Sequence, residues 1–276
     1  MTACIAESLA WIGLPAEVNS ALTAWNWPPR QVAAITGQLT AGETPAANTH
    51  PALAALAAIE GLAGMRALHR KRGVSDAISQ ATAADLALWV REYYRREGTW
   101  GLAETSWLRH HLAGRLFRLG RLQFMRAACG FPGLLPTDPV RAGDPVLEVH
   151  IPADSPLRPT DCLAAFKAAA VFFSHEHWLG FTCESWLLSP QLNELLPTES
   201  NILAFQQFFT PLSHYMDDRQ MIERVFGCFP LNMATAPQVT ALQRAVLIYY
   251  SAGKQLKGAA GFRPRYSINA RVKLTH

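Results

Sequence analysis

The hydrophobic pattern of this chain changes its period near residue 116, and no other feature constrains the fold as strongly. Before that point, segments such as "TAADLALWVREYYRREG" repeat apolar residues every three or four positions, which is typical of amphipathic helices. After it, "PVLEVHIP" alternates apolar and polar residues with a period of two, which is typical of a half-buried strand. The sequence therefore predicts an α+β protein with a helical N-terminal domain, residues 1–114, followed by a sheet-containing domain, residues 115–276.

Three helices are predicted in the first domain. The first is "HPALAALAAIEGLAGMRALHRKRG", which ends in a basic turn at Gly73. The second begins at a capping box formed by Thr82 and Asp85, and the third runs from about Glu104 to Leu116. Because these patterns share no fixed period, a helical repeat is not indicated.

The second domain is predicted to alternate strands and helices. The stretch "LFRLGRLQFM" is interpreted as the passage from the third helix into a first strand, with "PVLEVHIP" as its antiparallel partner. A helix is predicted from about residue 161, then a strand in "GFTCESWLL" and a short helix in "SPQLNELLP". Further strands are predicted in "NILAFQQFF", which is equally compatible with a helix, and in "MIERVFG". The last helix is predicted from a capping box at Thr235 and Gln238 to Ser251, ahead of "GKQLKGAAG".

Cysteine usage and the apolar runs exclude several classes of protein. The five cysteines are widely spaced and form no CxxC pair, so neither a disulfide framework nor a zinc module is indicated. The start of the chain lacks the basic region of a signal peptide, and Glu60 and Lys167 interrupt the apolar runs, so we predict a cytoplasmic protein without a membrane span. His175 and His177 flank Glu176 without an evident third ligand, so no metal is expected.

The formal net charge of +4 is unevenly distributed. Between residues 253 and 276 there are six basic residues and no acidic one, namely Lys254, Lys257, Arg263, Arg265, Arg271 and Lys273. Such a segment favours phosphate groups on a cofactor or on nucleic acid, although a solvated terminus has the same composition. A nucleic-acid partner is disfavoured because no pattern of stacking aromatic residues accompanies the basic ones.

Four segments, "FRLGRLQF", "LEVHIPADSPL", "FTCESWLLSPQLNELLPTESNILAFQ" and "RVFG", resemble a family of bacterial GNAT-like acyltransferases. In that family a helical N-terminal domain precedes a GNAT-like domain with a mixed β-sheet and flanking helices. The resemblance covers most of the chain from about Asp85 onward. It implies transfer of an acyl group from acyl-CoA to an amine or similar small nucleophile, by direct attack within a ternary complex. The alternative is a noncatalytic protein with a degenerate GNAT-like fold that binds a ligand or partner.

The resemblance also implies where CoA binds, because in GNAT-like folds the helix after the catalytic strand holds the pyrophosphate. A helix N-terminus presents unpaired N–H groups and a partial positive charge to an anion. The residues expected at this site are Arg158, Thr160, Asp161 and Cys162. The glycine-containing run common in GNAT enzymes is absent from "ADSPLRPTDC". Its spacing occurs instead in "QLKGAA", which includes Gly258 and lies beside Lys254 and Lys257, although this run follows a helix.

Acyl transfer to an amine requires a proton acceptor, and three side chains qualify as catalytic candidates. Glu148 and His150 share the polar face of the strand in "PVLEVHIP", and Glu184 lies on the next strand. The competing interpretations are an exposed strand residue for Glu148 and a structural hydrogen bond for Glu184. Cys162 and Cys183 lack a paired base in the sequence and are expected to be small buried hydrophobic residues.

Overall fold

The computed structural model describes residues 2–266, with side chains from Ile5 onward, so Arg271 and Lys273 of the basic segment lie outside the described residues. The described residues form two compact units, which are residues 2–119 with 123–125 and 152–154, and the remainder. The first unit contains α1 (Thr2–Trp11), α2 (Glu17–Thr23), α3 (Pro29–Ala41), α4 (Pro51–Lys71), α5 (Asp76–Glu97), α6 (Thr105–Leu112) and β1 (Leu116–Leu119).

Helix α4 is the core of the first unit. It begins at Pro51, where the fixed φ of proline suits the first helical position, and His50 caps it by accepting the Ala52 N–H at 3.2 Å. By length and composition alone α4 could cross a membrane, but twelve of its 21 residues are buried. Ten of these buried residues belong to one hydrophobic cluster with α1, α2, α3, α5 and α6, which is how the central helix of a helical bundle packs.

The predicted start of the second helix is wrong. Helix α5 begins at Asp76, and the Ser75 hydroxyl caps it by accepting the Ile78 N–H at 3.3 Å. Thr82 and Asp85 lie inside this helix. The Asp85 carboxylate is buried, where it accepts a hydrogen bond from the Trp107 ring at 2.9 Å and lies 3.0 Å from the His111 ring. Asp85 therefore does not cap a helix; its carboxylate makes tertiary contacts with Trp107 and His111.

A buried histidine in this unit makes stability depend on pH. The His69 ring stacks on Phe117, and its Nδ1 donates to the Ser79 hydroxyl at 3.0 Å, since that hydroxyl itself donates to the Ser75 carbonyl. Burial, with a smaller contribution from the charge of Arg72, lowers the pKa of His69 to about 4. The unfolded chain therefore binds this proton more readily than the folded chain between about pH 6.5 and pH 4.

We expect this difference to reduce the free energy of unfolding by about 3 kcal/mol as the pH falls from 7 to 4. The measurement is urea denaturation at several pH values for the wild type and His69→Gln, which keeps a donor for Ser79 but does not titrate. The loss of stability with falling pH should be smaller in the variant. Equal losses in the two proteins would contradict the assigned role of His69.

The second unit contains most of the sheet. Its elements are β2 (Leu122–Ala128), β3 (Pro145–His150), α7 (Pro159–Phe172), β4 (Gly180–Ser185), 3-10 turns at Trp186–Leu188 and Pro190–Glu194, α8 (Asn201–Gln206), β5 (Thr210–Met216), α9 (Arg219–Phe226), α10 (Ala241–Ser251) and β6 (Gly258–Pro264). The strand order is β1-β2-β3-β4-β6-β5. Strands β3 and β4 are parallel, whereas β6 is antiparallel to both β4 and β5. The fold is therefore α+β, with a mixed six-stranded sheet and flanking helices.

Helix α7 covers one face of this sheet. The ring of Phe166 on α7 packs against Phe181 on β4 with the centroids 4.9 Å apart, and both side chains are fully buried. The opposite face carries a smaller cluster in which Val146, Leu212 and Phe262 are buried. This second face also carries the polar residues of the candidate site.

Several element assignments from the sequence are corrected by the structure. The stretch "LFRLGRLQFM" forms two strands with a turn at Gly120, where φ is +73°, and the segment "RQMIERVF" is a helix, not a strand. For "NILAFQ", where strand and helix were equally compatible with the sequence, the structure has a helix. The last helix starts at Ala241 after a capping box at Thr240 and Gln243, not at Thr235. Strand β5 was not predicted, and "GAAG" in the glycine-rich segment belongs to β6.

Candidate functional site

Two arginines of the first hairpin hold the loop that connects β3 to α7. The Arg118 guanidinium pairs with the Asp154 carboxylate at 2.5 Å. Arg121 is buried and donates to the carbonyls of Ser155 and Pro156 at 2.7 and 3.0 Å. Charge-assisted hydrogen bonds of this kind fix backbone position well. The arginines of "LFRLGRLQFM" therefore act on the chain that leads into the N-terminus of α7.

The pairing between the parallel strands β3 and β4 stops before the strands end. Leu147 is paired with Phe181 and Glu148 with Thr182. Within the described residues no pairing between them follows, although β3 continues to His150 and β4 to Ser185. Main-chain groups that a neighbouring strand does not pair are available to a ligand. We call the region between the last residues of β3 and β4, beyond this pairing, the gap.

The N-terminus of α7 follows the end of β3. Arg158 is its N-cap residue, Pro159 occupies its first turn, and the side chains of Arg158, Thr160 and Asp161 are exposed. Arg158 offers a positive charge to an anion, whereas the Asp161 carboxylate opposes it. The Cys162 side chain is fully buried, and burial raises the pKa of its thiol to about 11, so this residue is a protonated core residue.

The second set of predicted cofactor-binding residues is placed in strand β6 and just before it. Gly258 is paired with Met216 on β5, and a Cβ on this glycine would lie 2.5 Å from the Met216 Cε atom. The Met216 side chain is flexible and could move aside, so the closest fixed neighbour of such a Cβ is the Met216 Cβ at 3.3 Å. Lys254 forms an ion pair with Glu194 at 2.8 Å, whereas Lys257 is exposed. Because β6 runs antiparallel to β4, and β4 is parallel to β3, Lys257 lies at the end of the sheet where β3 and β4 have their C-terminal ends.

Four polar side chains line one face of the sheet around the gap. The pairing of Glu148 with Thr182 and the two-residue period of strands place Glu148, His150, Thr182 and Glu184 on the same face. The Glu148 carboxylate lies 3.6 Å from His150 Nε2. The Thr182 hydroxyl is buried and has no hydrogen-bond partner among the described residues. The structure therefore brings together all three catalytic candidates of the sequence.

Glu184 has a second partner that comes from a distant strand. Its Oε2 lies 3.2 Å from Nε2 of His214 on β5, with 39% of the Glu184 side chain and 11% of the His214 side chain exposed. The two strands are about 10 Å apart because β6 runs between them. Ala260 is the β6 residue opposite Glu184, and its small side chain leaves room for the two longer ones to meet above it.

The orientation of His214 is fixed on its other side. Its Nδ1 lies 3.0 Å from the Pro132 carbonyl, and its ring stacks on Phe131 at a centroid distance of 5.2 Å with the ring planes 8° apart. A carbonyl only accepts, so Nδ1 carries a hydrogen and Nε2 is the nitrogen that faces the Glu184 carboxylate. We call these two residues the Glu184–His214 pair.

Comparison with known protein families shows which family this fold belongs to. An N-acyltransferase N-terminal domain matches residues 5–114, and a GNAT-like C-terminal domain matches residues 116–263, which is more than half of the chain. The chain belongs to the GNAT-like N-acyltransferase family. A comparison with curated proteins finds no match to this chain.

Solved acyltransferase structures have the same fold as this family member. One is an acyltransferase in complex with decanoyl-CoA, with 26% sequence identity and a TM-score of 0.77. Another is in complex with decanoyl-CoA and teicoplanin, with 26% identity and a TM-score of 0.76. A mutant acyltransferase in complex with octanoyl-CoA has 25% identity and a TM-score of 0.76. Each comparison covers 94% of this chain and 86% of the other chain.

His214 of this acyltransferase-family chain was not among the residues singled out from the sequence. The segment "TPLSHYM" does alternate Leu212 and His214 with other residues, which is a weak sign of a strand with these two side chains on one face. Burial strongly raises the pKa of the Cys183 thiol, so the structure supports its interpretation as a core residue. Among the described residues, no group of three or more His, Cys, Asp or Glu side chains is placed to hold a metal ion.

Proposed function

We propose that this protein transfers a medium-length acyl group from acyl-CoA to the amino group of a small-molecule acceptor, within a ternary complex. The observation that carries the proposal is the Glu184–His214 pair at the edge of the gap between β3 and β4. The related acyltransferases in complex with octanoyl-CoA and decanoyl-CoA support this class of donor. The relative in complex with teicoplanin supports a small-molecule acceptor.

In this proposal, acyl-CoA binds at the C-terminal ends of β3 and β4 and enters the gap from the sheet face that α7 covers. The pyrophosphate binds at the N-terminus of α7, where Arg158 supplies a guanidinium, and Lys257 adds a second positive charge at the same edge. The pantetheine chain bonds the main-chain groups that β3 and β4 leave unpaired beyond Glu148. The thioester then lies beside the polar face that carries Glu184.

The Glu184–His214 pair can hold one additional proton. Because Nδ1 of His214 already carries a hydrogen, the pair without a further proton places the Nε2 lone pair against a carboxylate. Both groups are then proton acceptors that face each other at 3.2 Å, and a proton between them converts this contact into a hydrogen bond. Glu184 is the member of the pair next to the gap.

The reaction follows from this arrangement. The acceptor nitrogen attacks the thioester carbonyl carbon, and the new C–N bond forms as the C–S bond breaks. Glu184 takes the proton that the nitrogen loses, directly or through one water, and shares it with His214. The CoA thiolate leaves and is protonated from solvent, so the products are an amide and free CoA. His214 is a positioning residue in this scheme because it acts through Glu184.

Calorimetric titration with decanoyl-CoA tests the binding part of the proposal. We expect the wild type to bind, and we expect the Kd to rise about tenfold in Arg158→Ala because one charge-assisted contact to phosphate is lost. Lys257→Ala should weaken binding in the same direction. Lys167→Ala is the matched control, since this exposed lysine lies further along α7.

The control variant should bind as tightly as the wild type. Failure of the wild type to bind decanoyl-CoA or CoA would contradict the transferase proposal and favour the noncatalytic binding protein. If the wild type binds and Arg158→Ala binds equally well, the proposal that the pyrophosphate binds at the N-terminus of α7 is contradicted.

A further inference from the structure

The chain between β2 and β3, residues 129–144, is a closed loop that we call the β2–β3 loop. Its two ends are joined by main-chain hydrogen bonds, from Cys129 N to the Asp144 carbonyl and from Gly143 N to the Cys129 carbonyl, both at 2.8 Å. Cys129 and Val140 are buried against the face of the sheet that carries the polar residues. The loop therefore belongs to the compact structure of the second unit.

Two charged side chains fix the shape of this loop. The buried Asp138 carboxylate accepts the Leu135 N–H at 2.6 Å and the Ser213 N–H at 3.1 Å. The Arg141 guanidinium donates to the carbonyls of Leu135 and Asp138 at 3.2 and 3.0 Å. The bond between Asp138 and the Ser213 N–H attaches the loop to β5 next to His214. A loop held in this way is preorganised for binding.

The outer side of the loop is concave and apolar. It forms an open surface depression with a volume of about 460 Å³, which is within the size range of small-molecule sites. The main lining residues are Phe131, Pro132, Leu134, Leu135, Pro136 and Arg141. Leu135 is 54% exposed, so its side chain is accessible to a molecule that binds in the cavity. We call this cavity the loop cavity.

The loop cavity adjoins the proposed reaction centre. Two of its lining residues contact His214 directly, Phe131 by ring stacking and Pro132 by its carbonyl. The cavity is also on the sheet face opposite to the one covered by α7, whose N-terminus is the proposed site for the CoA pyrophosphate. A molecule in the loop cavity would therefore reach Glu184 from the side that CoA leaves open.

We infer that the loop cavity binds the apolar part of the acyl acceptor, and that the acceptor is an amine with an aromatic body. A phenylalanine ring, proline rings and a guanidinium plane all stack favourably on aromatic rings. The amino group then projects past His214 toward the Glu184 carboxylate, which attracts it while it is protonated. The ammonium gives one proton to solvent before its nitrogen attacks, and Glu184 takes the second proton as the amide forms. This inference rests on the proposed acyl transfer and specifies the acceptor for the same site.

Fluorescence titration with N-phenyl-1-naphthylamine, an uncharged aromatic amine, tests the inference. The probe titration is done with saturating decanoyl-CoA, so that the acyl-chain site is filled. The displacement by amines is done with saturating CoA instead, because an amine and decanoyl-CoA would react. We expect the probe to bind the wild type and to be displaced by phenethylamine but not by ethylamine. Leu135→Ser should raise the probe Kd at least fivefold, and Arg141→Gln should raise it as well because the loop loses two hydrogen bonds.

Val239→Ser is the matched control, because Val239 is 82% exposed and outside the loop cavity. It should leave the probe Kd unchanged. An unchanged Kd in Leu135→Ser would overturn the inference, and so would displacement of the probe by decanoyl-CoA in a separate titration that starts without it. Failure of the proposed function is a different result, because it appears as a lack of decanoyl-CoA binding in calorimetry without any probe.

Discussion

Replacing Glu184 with glutamine is expected to lower the rate of thiol release from decanoyl-CoA, in the presence of an amine acceptor, by ~10²–10⁴-fold. The amide has nearly the shape of the carboxylate but cannot take the proton that the amine loses. The affinity for decanoyl-CoA should change little, because the acyl donor is bound mainly by other residues. Continuous detection of the released thiol, together with calorimetry, separates these two effects.

Glu148→Gln is the matched control for this prediction. Glu148 lies on the same face of the sheet, next to His150, but makes no described contact with His214. Its replacement should lower the rate less than tenfold. If Glu148→Gln loses the activity and Glu184→Gln keeps it, the proton acceptor is Glu148 with His150, and the assignment made here is wrong.

A double-mutant comparison tests whether Glu184 and His214 act together. His214→Phe keeps a ring that can stack on Phe131 but removes both nitrogens. If the two residues share one proton, the double variant with Glu184→Gln should be no slower than the slower single variant. Additive losses would mean that His214 and Glu184 contribute separately.

Replacing Phe166 with alanine is expected to lower the free energy of unfolding by about 3–5 kcal/mol. The Phe166 ring is fully buried on α7 and packs against the rings of Phe181, Phe208 and Phe209 at centroid distances of 4.9, 5.5 and 5.9 Å. The Arg263 guanidinium lies 5.1 Å from the same ring. The truncation would leave a cavity that these neighbours cannot fill without moving the sheet and α7.

Val171→Ala provides the control on the same helix. Val171 is 75% exposed, so its truncation should change the free energy of unfolding by less than about 0.5 kcal/mol. Urea denaturation of both variants measures the difference. Similar stabilities of Phe166→Ala and the wild type would contradict the packing of α7 on the sheet.

The order of elements around the active site could be predicted from the sequence, because each has a strong local pattern. The alternation in "PVLEVHIP" gave β3 with Glu148 and His150 on one face, and the apolar run in "GFTCESWLL" gave β4 with Glu184. The helix between them starts next to Pro159, which is a local signal as well. These patterns depend on residues close together in the chain.

The parts that could not be predicted depend on tertiary contacts. His214 meets Glu184 only because β5 pairs with β6 beside β4, and this pairing joins distant segments. Glycine and alanine have a low propensity for strands, so the composition of β6 favours a loop. In the folded sheet these small residues fit where larger ones would not, since a Cβ on Gly261 would lie 2.6 Å from the Phe209 Cβ. The strand predicted around Ile222 is a helix, in which Met221, Ile222 and Phe226 are buried at helical spacing.

The most direct test of the account is mass spectrometry of wild-type reactions that contain decanoyl-CoA and phenethylamine, run beside Glu184→Gln. The account predicts the decanoyl amide and an equal amount of free CoA with the wild type, and at least a hundredfold less amide with the variant. Equal amounts of amide from both proteins would contradict the role of Glu184. Binding of decanoyl-CoA without amide formation from phenethylamine or any other amine tested would contradict the acyl transfer itself.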